Sequence, residues 1–260
     1  MMDHRLLNIT LFREVESTNA LALAALKEGA PEGTVFVADR QSAGRGRRQP
    51  GGERRPWFSP PGKNLYFSVV ARPAVAVDQS AGLTLAVGVE LADMLRRSTK
   101  LEIEVKWPND LYVGERKLGG ILTEGVTKAR GLDGVAVGVG LNINAEVDEF
   151  PEELRQRATS LVDETGGVYD RLALAVEAPE VVLDACERYA DEGLAAFSQR
   201  LKRWDWLRDR PVLVEGAEGR ARGIGSRGGL KVEFDDGRIE EVISGEVTAP
   251  GTLPDRKAGR

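Results

Sequence analysis

An arginine- and glycine-rich stretch over residues 38–62, ADRQSAGRGRRQPGGERRPWFSPPG, follows a predicted strand and has no periodicity of its own. Glycine lets a backbone approach a ligand closely, and guanidinium groups pair with phosphate and carboxylate oxygens in bidentate geometry. A long aperiodic segment in a compact domain is typical of functional or disordered loops. We predict a substrate-binding loop that is mobile until an anionic ligand orders it. The alternatives are a solvated basic loop and a nucleic-acid patch.

The overall composition narrows the kind of ligand. The chain has 260 residues, 42% hydrophobic and 30% charged, which suits one large domain or a large and a small one. Its formal net charge is −5. A general nucleic-acid binder depends on a basic footprint, whereas here the basic charge is concentrated in one stretch. A small anionic ligand is the better interpretation, and we expect no nucleic-acid partner.

Two rare residue types limit the chemistry and the compartment. Cys186 is the only cysteine and His4 the only histidine. A disulfide within the chain is therefore impossible, which suits a reducing cytoplasm, and multi-histidine metal sites are excluded. The first residues lack the features of a signal peptide, and no run approaches the roughly 20 apolar residues that cross a bilayer. We expect a cytoplasmic protein with no membrane partner.

The N-terminal half alternates between predicted strands and helices. Apolar periodicity predicts strands over residues 6–15, 34–41, 65–72 and 101–107, and helices over residues 20–29 and 79–98. Ser17, Thr18 and Asn19 precede the first helix, which is the pattern of an N-terminal cap. These three residues either only cap the helix or also face a polar ligand together with the helix N-terminus.

The second half changes character at Pro211. Before it, the pattern predicts a hairpin over residues 111–126, a strand over residues 134–144 and a helix over residues 170–204 that breaks near Pro179. The glycine-rich strand is either an exposed edge, which would allow a homodimer, or a buried one. After Pro211, short strands between glycine turns predict a small β barrel. We predict an α+β fold with domains over residues 1–208 and 209–250, and a disordered tail over residues 251–260.

Two groups of basic residues are candidates for chemistry. The stretch from Gly44 is not a phosphate-binding P-loop and lacks the third glycine of a dinucleotide fingerprint, so an anion site rests on Arg45, Arg47 and Arg48. Lys106 ends a strand on its polar face, beside a Trp-Pro turn. It is either a solvated residue or an ammonium that stabilises charge developing in a transition state. Such cations could bring a carboxylate nucleophile and a polyphosphate together without histidine or cysteine.

Several segments, in order along nearly the whole chain, resemble the biotin protein ligases, also called biotin–[biotin carboxyl carrier protein] ligases. They are Ser17-Thr18-Asn19, RQSAGRGRR at 40–48, WFSP at 57–60, Gly62, NLY at 64–66, KWPND at 106–110, KLGGIL at 117–122, GVGLNIN at 138–144 and SGEV at 244–247. No single segment is decisive. The combination of GRGRR, KWPND and GxGxNxN is very specific.

The resemblance implies a fold and a two-step reaction. The fold would be a mixed β-sheet catalytic domain packed with helices, as in class II synthetases, followed by a small SH3-like β barrel. Biotin and ATP with Mg²⁺ would first form biotinyl-5′-AMP and pyrophosphate. The activated biotin would then pass to one lysine of a biotin carboxyl carrier protein. The metal ligands are not indicated.

The resemblance also implies roles for individual residues. Lys106 and Arg47 would be catalytic. The biotin-binding residues would be Ser17, Thr18, Asn19, Gln41, Arg45, Gly46, Arg47 and Lys106. The ATP and adenylate would contact Gly44, Arg45, Arg47, Arg48, Trp57, Lys117 and Asn142. Asn109 matches a motif position without a secure role.

Two departures from the family pattern affect these expectations. Residues 49–56 separate GRGRR from the tryptophan, so the third Gly-Arg pair of the family is out of register and the loop is longer. The chain also begins at the first strand of the catalytic domain, so we expect no DNA-binding domain. A lipoate or octanoyl ligase shares the catalytic fold and is the alternative enzyme. A biotin or nucleotide sensor without turnover is the non-enzymatic alternative.

Overall fold

The computed structural model describes residues 6–48, 54–76, 80–128, 131–243, 245 and 247–249, and its N-terminal part is built on strands β1 to β9. His4, residues 49–53, Ser244, Glu246 and the predicted tail lie outside the described residues. In chain order the strands are β1 (Asn8–Val15), β2 (Thr34–Gln41), β3 (Arg45–Arg48), β4 (Arg54–Pro56), β5 (Leu65–Ala71), β6 (Ile103–Lys106), β7 (Asp110–Val113), β8 (Arg116–Lys128) and β9 (Gly131–Leu141).

Most of these strands form one mixed sheet. Within the described residues its order is β1-β2-β5-β9-β8-β7-β6. The pair β1–β2 is parallel, and the other neighbouring pairs are antiparallel. The mixed sheet of the predicted α+β class is confirmed.

The glycine-rich strand β9 is internal. It pairs with β5 on one side and with β8 on the other, so the expectation of an exposed edge is wrong and the buried alternative is right. Glycine is needed here for close packing: a Cβ at Gly134 would lie 2.8 Å from Leu26 Cδ1 and 2.9 Å from the Ala71 carbonyl oxygen. Among the described strands of this sheet, β1 and β6 are the edges.

Helices cover both faces of the sheet. They are α1 (Thr18–Lys27), α2 (Ser80–Thr99), α3 (Glu152–Arg155), α4 (Leu161–Thr165), α5 (Arg171–Glu192) and α6 (Ser198–Trp204), with 3₁₀ turns at Val147–Glu149 and Gly193–Phe197. Helix α1 packs on Val70 of β5, and α2 with α5 packs in the cluster that holds Val69. Side chains of adjacent strand residues point to opposite faces, so α1 lies on one face and α2 and α5 on the other. None of the described helices has the length and apolar character needed to span a membrane.

Helix α5 is continuous where a break was expected. Pro179 lies inside it, and the helix ends at Gly193, which has a φ of 65°. Proline removes one hydrogen bond of a helix and tends to bend it. Its neighbours Ala178, Val182 and Leu183 are buried in the main core, and this packing keeps the residues after the proline helical.

Part of the arginine-rich stretch is regular. Strands β3 and β4 form a two-stranded antiparallel sheet in which Arg45 pairs with Pro56 and Arg48 with Arg54. The segment expected to be an aperiodic loop therefore contains two short paired strands. The local sequence did not indicate this pairing, because it has no alternation of apolar residues. We call β3 and β4 together the arginine hairpin.

The C-terminal strands form a second, antiparallel sheet. They are β10 (Pro211–Val214), β11 (Ala217–Ile224), β12 (Leu230–Phe234), β13 (Ile239–Val242) and β14 (Val247–Thr248), in the order β13-β12-β11-β10-β14. The predicted small β module is confirmed. It contacts the large sheet near Lys106, where the Trp107 indole Nε1 donates to the Gly228 carbonyl at 2.9 Å. In the segment before this module, the Trp206 backbone N–H donates to the Val105 carbonyl at 3.1 Å.

Candidate active site

Three consecutive polar residues are buried at the N-terminus of α1. Ser17, Thr18 and Asn19 are 5%, 3% and 4% exposed. Ser17 is the N-cap, as predicted: its backbone is extended and its side chain accepts a hydrogen bond from the Ala20 N–H at 3.4 Å. Buried polar side chains need hydrogen-bond partners, so the contacts of the other two show what this corner can bind.

The Gln41 side chain at the end of β2 is oriented by Thr18. Its Oε1 accepts from the Thr18 backbone N–H at 2.8 Å and from Thr18 Oγ1 at 3.1 Å. Thr18 Oγ1 in turn accepts from Ser68 Oγ at 2.9 Å. Because the amide oxygen is used in this way, the Nε2 of Gln41 is left as a donor for another group.

Asn19 is oriented by Glu124 of β8, a residue that the sequence did not single out. Asn19 Nδ2 donates to Glu124 Oε2 at 2.6 Å. Asn19 Oδ1 is buried and has no hydrogen-bond partner among the residues that the structure describes. A Cβ at Gly138 would lie 2.8 Å from this oxygen, so the glycine makes room for it. The two residues are 105 positions apart, so no local pattern could indicate the pair.

The arginine hairpin lies against the same carboxylate. Arg54 of β4 donates to Glu124 Oε1 at 2.5 Å, and a guanidinium nitrogen of Arg45 lies 4.0 Å from Oε2. Within the described part of the chain, the Nε of Arg45 is buried without a hydrogen-bond partner. The backbone of Arg48 belongs to β3, but its side chain lies outside the described part of the structure.

The two glycines of the GRGRR motif differ in how much space a side chain would have at their positions. A Cβ at Gly44 would lie 3.1 Å from Ser59 Oγ and 3.2 Å from both Gln41 Nε2 and the Trp57 carbonyl, so Gly44 allows the chain to pass close to the polar corner. At Gly46 the nearest atom to such a Cβ is 3.7 Å away, which is ordinary contact. Crowding therefore explains Gly44 and not Gly46.

Trp57 forms a wall across two strands of the sheet. A Cβ at Gly140 of β9 would lie 2.7 Å from its Cε2, and one at Gly120 of β8 would lie 3.2 Å from its Cζ3, so both glycines provide space for the ring. The indole Nε1 is buried, and no described residue forms a hydrogen bond with it. The ammonium of Lys117 lies 5.2 Å from the ring centroid, within cation–π range.

Lys106 is buried, 8% exposed, although it lies on the polar face of its strand. Its Nζ donates to Tyr112 Oη at 3.2 Å and lies 4.7 Å from the ring centroids of both Tyr112 and Trp206. Burial lowers the pKa of Lys106 to about 8, an effect that Asp110 opposes and Lys117 adds to. Trp206 also was not identified from the sequence. It reaches Lys106 from a segment 100 residues further along the chain.

A second lysine lies beside the first. Lys117 Nζ forms an ion pair with Asp110 Oδ1 at 2.6 Å. Burial also lowers the pKa of the Arg47 guanidinium, and Asp110 opposes that effect, so Arg47 lies within electrostatic reach of the same carboxylate. We call Lys106, Asp110 and Lys117 the lysine corner. The hairpin and the lysine corner therefore meet in one place.

Two asparagines of the motifs are used inside the fold. Asn142 Nδ2 donates to the Thr159 carbonyl at 2.9 Å and to the Lys117 carbonyl at 3.4 Å, while its Oδ1 accepts from Asn64 Nδ2 at 3.5 Å. Asn109 Nδ2 donates to the Ile121 carbonyl at 2.7 Å. Both side chains hold backbone segments around the lysine corner.

The residues together form an anion site beside a polar pocket. This polar corner presents an amide donor on Gln41 and an amide acceptor on Asn19, and Arg45 of the hairpin lies 4.0 Å from the Glu124 carboxylate that Asn19 contacts. Across the part of the chain that the structure describes, no cluster of three or more His, Cys, Asp or Glu side chains could hold a metal ion. Such a site suits a ligand with a polar amide-like head and an acidic group that becomes more anionic during reaction.

The mixed sheet, the polar helix N-terminus and the two neighbouring lysines together define the class of protein to which this chain belongs. The chain belongs to the biotin/lipoate A/B protein ligase family, whose sequence profile matches residues 11–142. The matched range contains all of the site residues predicted from the sequence, the last of which is Asn142. Trp206 lies outside that range.

Individual relatives are similar over most of the chain. The bifunctional ligase/repressor BirA of Salmonella typhimurium is 36% identical over 93% of this chain and 74% of its own length. The biotin–[acetyl-CoA-carboxylase] ligase of Mycobacterium tuberculosis is 32% identical over 91% of this chain and 79% of its own. The solved structure of the biotin protein ligase from Aquifex aeolicus in complex with biotin and ATP superposes with a TM-score of 0.76 at 30% identity. That match covers 93% of this chain and 97% of the other.

Proposed function

We propose that this chain is a biotin protein ligase: it activates biotin with ATP to biotinyl-5′-AMP and transfers the biotin to a lysine of a biotin carboxyl carrier protein. The observation that carries the proposal is that a buried lysine, Lys106, and Arg47 of the arginine hairpin both lie within electrostatic reach of Asp110, in a site that also holds two oriented amides. Relatives named as biotin ligases, similar over more than nine-tenths of the chain, support it.

Biotin's ureido ring has one carbonyl and two N–H groups, and the pocket offers complementary groups. Gln41 Nε2 donates a hydrogen bond to the ureido carbonyl oxygen, and Asn19 Oδ1 accepts one from a ureido N–H. Ser17 and Thr18 complete this end of the pocket. Lipoate has a dithiolane ring without N–H groups, so an unpaired buried acceptor would remain on Asn19 in a lipoate complex. The polar pocket therefore favours biotin over the lipoate alternative.

The adenylate lies under the arginine hairpin in this proposal. Gly44, Arg45, Gly46, Arg47 and Arg48 close over it, Trp57 covers it, and Lys117 contacts it. Asn142 acts indirectly, because its amide holds the Lys117 backbone in place. Mg²⁺ enters as the ATP complex, with the phosphate oxygens as ligands.

In the first step a biotin carboxylate oxygen attacks the α-phosphorus of ATP, the bond to the β-phosphate oxygen breaks, and pyrophosphate leaves. Lys106 holds the carboxylate and offsets its charge as it meets the polyphosphate, and Arg47 neutralises the phosphate side. In the second step the carrier lysine amine attacks the acyl carbon, loses a proton, and AMP leaves with the bridging oxygen. Lys106 then stabilises the negative charge on the acyl oxygen.

A direct assay tests the proposed function. The protein is incubated with ATP, Mg²⁺, labelled biotin and a carrier domain, and label is expected on the carrier only when ATP is present. Thermal stabilisation by biotin and not by lipoate separates the two ligase activities. Label transfer from lipoate alone would contradict the proposal, and biotin binding without label transfer would support the non-enzymatic sensor.

Two further properties belong to the same proposal. The division at Arg208 separates a catalytic domain over residues 1–208 from a β module over residues 209–250. This division is supported by the separate C-terminal sheet.

The cytoplasm is the proposed compartment. The chain's only cysteine, Cys186, is buried and reduced, which suits a reducing compartment. The carrier protein must also be present in the same compartment as the ligase.

A further inference from the structure

Glu124 binds two functional parts of the site with its two carboxylate oxygens. Oε2 accepts from Asn19 Nδ2 at 2.6 Å, and Oε1 accepts from Arg54 of the arginine hairpin at 2.5 Å. The side chain is only 18% exposed, and Asn19 is 4% exposed. The carboxylate is therefore held between Asn19 and the arginine hairpin.

The first contact decides which way the Asn19 amide faces. An ionised carboxylate can only accept hydrogen bonds, so Asn19 must direct its NH₂ group to Glu124. The amide oxygen is then directed away from Glu124, where it is buried and accepts no hydrogen bond from the residues described. An asparagine amide without such a neighbour can present either its oxygen or its nitrogen. Glu124 therefore makes this part of the pocket an acceptor.

The second contact is made by the second strand of the arginine hairpin. Arg54 is the first residue of β4. Arg54 binds Glu124 and pairs with Arg48 across the hairpin. Arg54 thus links the hairpin to the carboxylate that orients the Asn19 amide.

We propose that Glu124 is a positioning residue that selects ligands with an N–H donor by fixing the Asn19 amide, and that it anchors the arginine hairpin through Arg54. The proposal rests on the proposed biotin ligase function. Neither Glu124 nor Arg54 touches the reacting atoms. Both act through a neighbour: Glu124 through Asn19, and Arg54 through the position of the hairpin.

The first part is tested with Glu124→Gln and biotin analogues. The variant preserves the size of the side chain but can offer an N–H to Asn19, so both amide orientations become available. Binding of biotin is measured by calorimetry beside two analogues, each methylated on one ureido nitrogen. For the parent, we expect one of the two methylations to weaken binding strongly. For Glu124→Gln, we expect biotin to bind about tenfold more weakly and the penalty for that methylation to shrink.

A matched control is Asp133→Asn. Asp133 is a carboxylate of similar exposure, 19%, paired with Arg72 on the same sheet. This control should leave biotin affinity and the methylation penalty unchanged. If Glu124→Gln retains the parent's methylation penalty, the proposal is overturned. If the parent itself does not bind biotin, the proposed function fails with it, so the two failures are distinguishable.

The second part is tested with Arg54→Gln, which leaves Asn19 and Glu124 in place. We expect the analogue selectivity of the parent, together with dissociation of bound biotinyl-AMP that is several-fold faster, because only the hairpin is released. Thermal unfolding midpoints of all variants are compared with the parent. Arg54→Gln with unchanged adenylate dissociation would overturn the anchoring role, even if Glu124→Gln alters selectivity.

Discussion

The lysine corner and the arginine hairpin both supply cations to the site, but they are built differently. Lys106, Asp110 and Lys117 lie on three adjacent strands of the large sheet, and the Lys106 ammonium lies beside the packed rings of Tyr112 and Trp206, 4.7 Å from each centroid. The hairpin is a two-stranded sheet of short strands, and among the contacts described Glu124 ties its Arg45 and Arg54 to the large sheet.

This difference separates two tasks. A group that must meet a reacting carboxylate needs a fixed position, because a small misplacement lowers the rate strongly. A group that must close over a ligand and later release it needs a less stable attachment, and such segments have fewer buried apolar contacts. Loss of the lysine corner should therefore affect chemistry, and loss of hairpin contacts should affect retention of the intermediate.

Lys106→Ala gives the largest expected effect. Removing the ammonium should lower biotin-dependent pyrophosphate exchange by about 10²–10³-fold, because one preorganised charge-stabilising group is lost. The matched control is Lys128→Ala, at the far end of β8, whose ammonium pairs with Asp133. The control should show exchange like that of the parent. Normal exchange in Lys106→Ala would refute the catalytic role of Lys106. The lysine corner could then no longer be contrasted with the arginine hairpin as the part of the site that carries the chemistry.

Arg47→Gly tests the hairpin in the complementary way. We expect biotinyl-AMP to dissociate about tenfold faster, since contacts at the mouth of a site act mainly on dissociation. Adenylate formation should fall less than in Lys106→Ala. The release of labelled adenylate from the loaded enzyme measures the effect. A dissociation rate equal to that of the parent would show that Arg47 does not clamp the intermediate.

Gly140→Ala tests the packing of the Trp57 ring against the large sheet. The added Cβ would collide with the Trp57 ring, so the ring or the strand must move. Overpacking of this kind costs about 1–3 kcal/mol of unfolding free energy, and we expect pyrophosphate exchange to fall several-fold. Gly167→Ala is the control, because its Cβ would make only ordinary contact, 3.6 Å from Thr165 Oγ1. Chemical denaturation of both variants measures the difference, and equal stability would show that the wall can adapt.

The sequence predicted the local features of both regions better than their contacts. The strand that ends at Lys106 and the cap at Ser17 were predictable, because alternation and capping are local signals. The contacts of Glu124 with Asn19 and of Trp206 with Lys106 join residues about 100 positions apart, and no local pattern records them. Pro179 shows the converse: a strong local signal for a break was overridden by burial of the surrounding helix face.

The pH dependence of adenylate formation gives the smallest and most specific effect. Lys106 acts as an ammonium, and burial lowers its pKa from 10.5 to about 8, so activity should decline as the pH rises through about 8. The Tyr112 hydroxyl accepts a hydrogen bond from this ammonium, and Tyr112→Phe removes that acceptor. The charged form loses support, so the decline should move to lower pH, while the Arg47→Gly profile keeps its position. A profile of Tyr112→Phe that coincides with the parent's would mean that the decline reports another group.

The lowered pKa of Lys106 also affects the stability of the protein, and the sign of that effect is definite. Between about pH 8 and 10.5 the unfolded chain binds more protons at Lys106 than the folded chain does. The contribution of Lys106 to the unfolding free energy therefore rises with pH in this range.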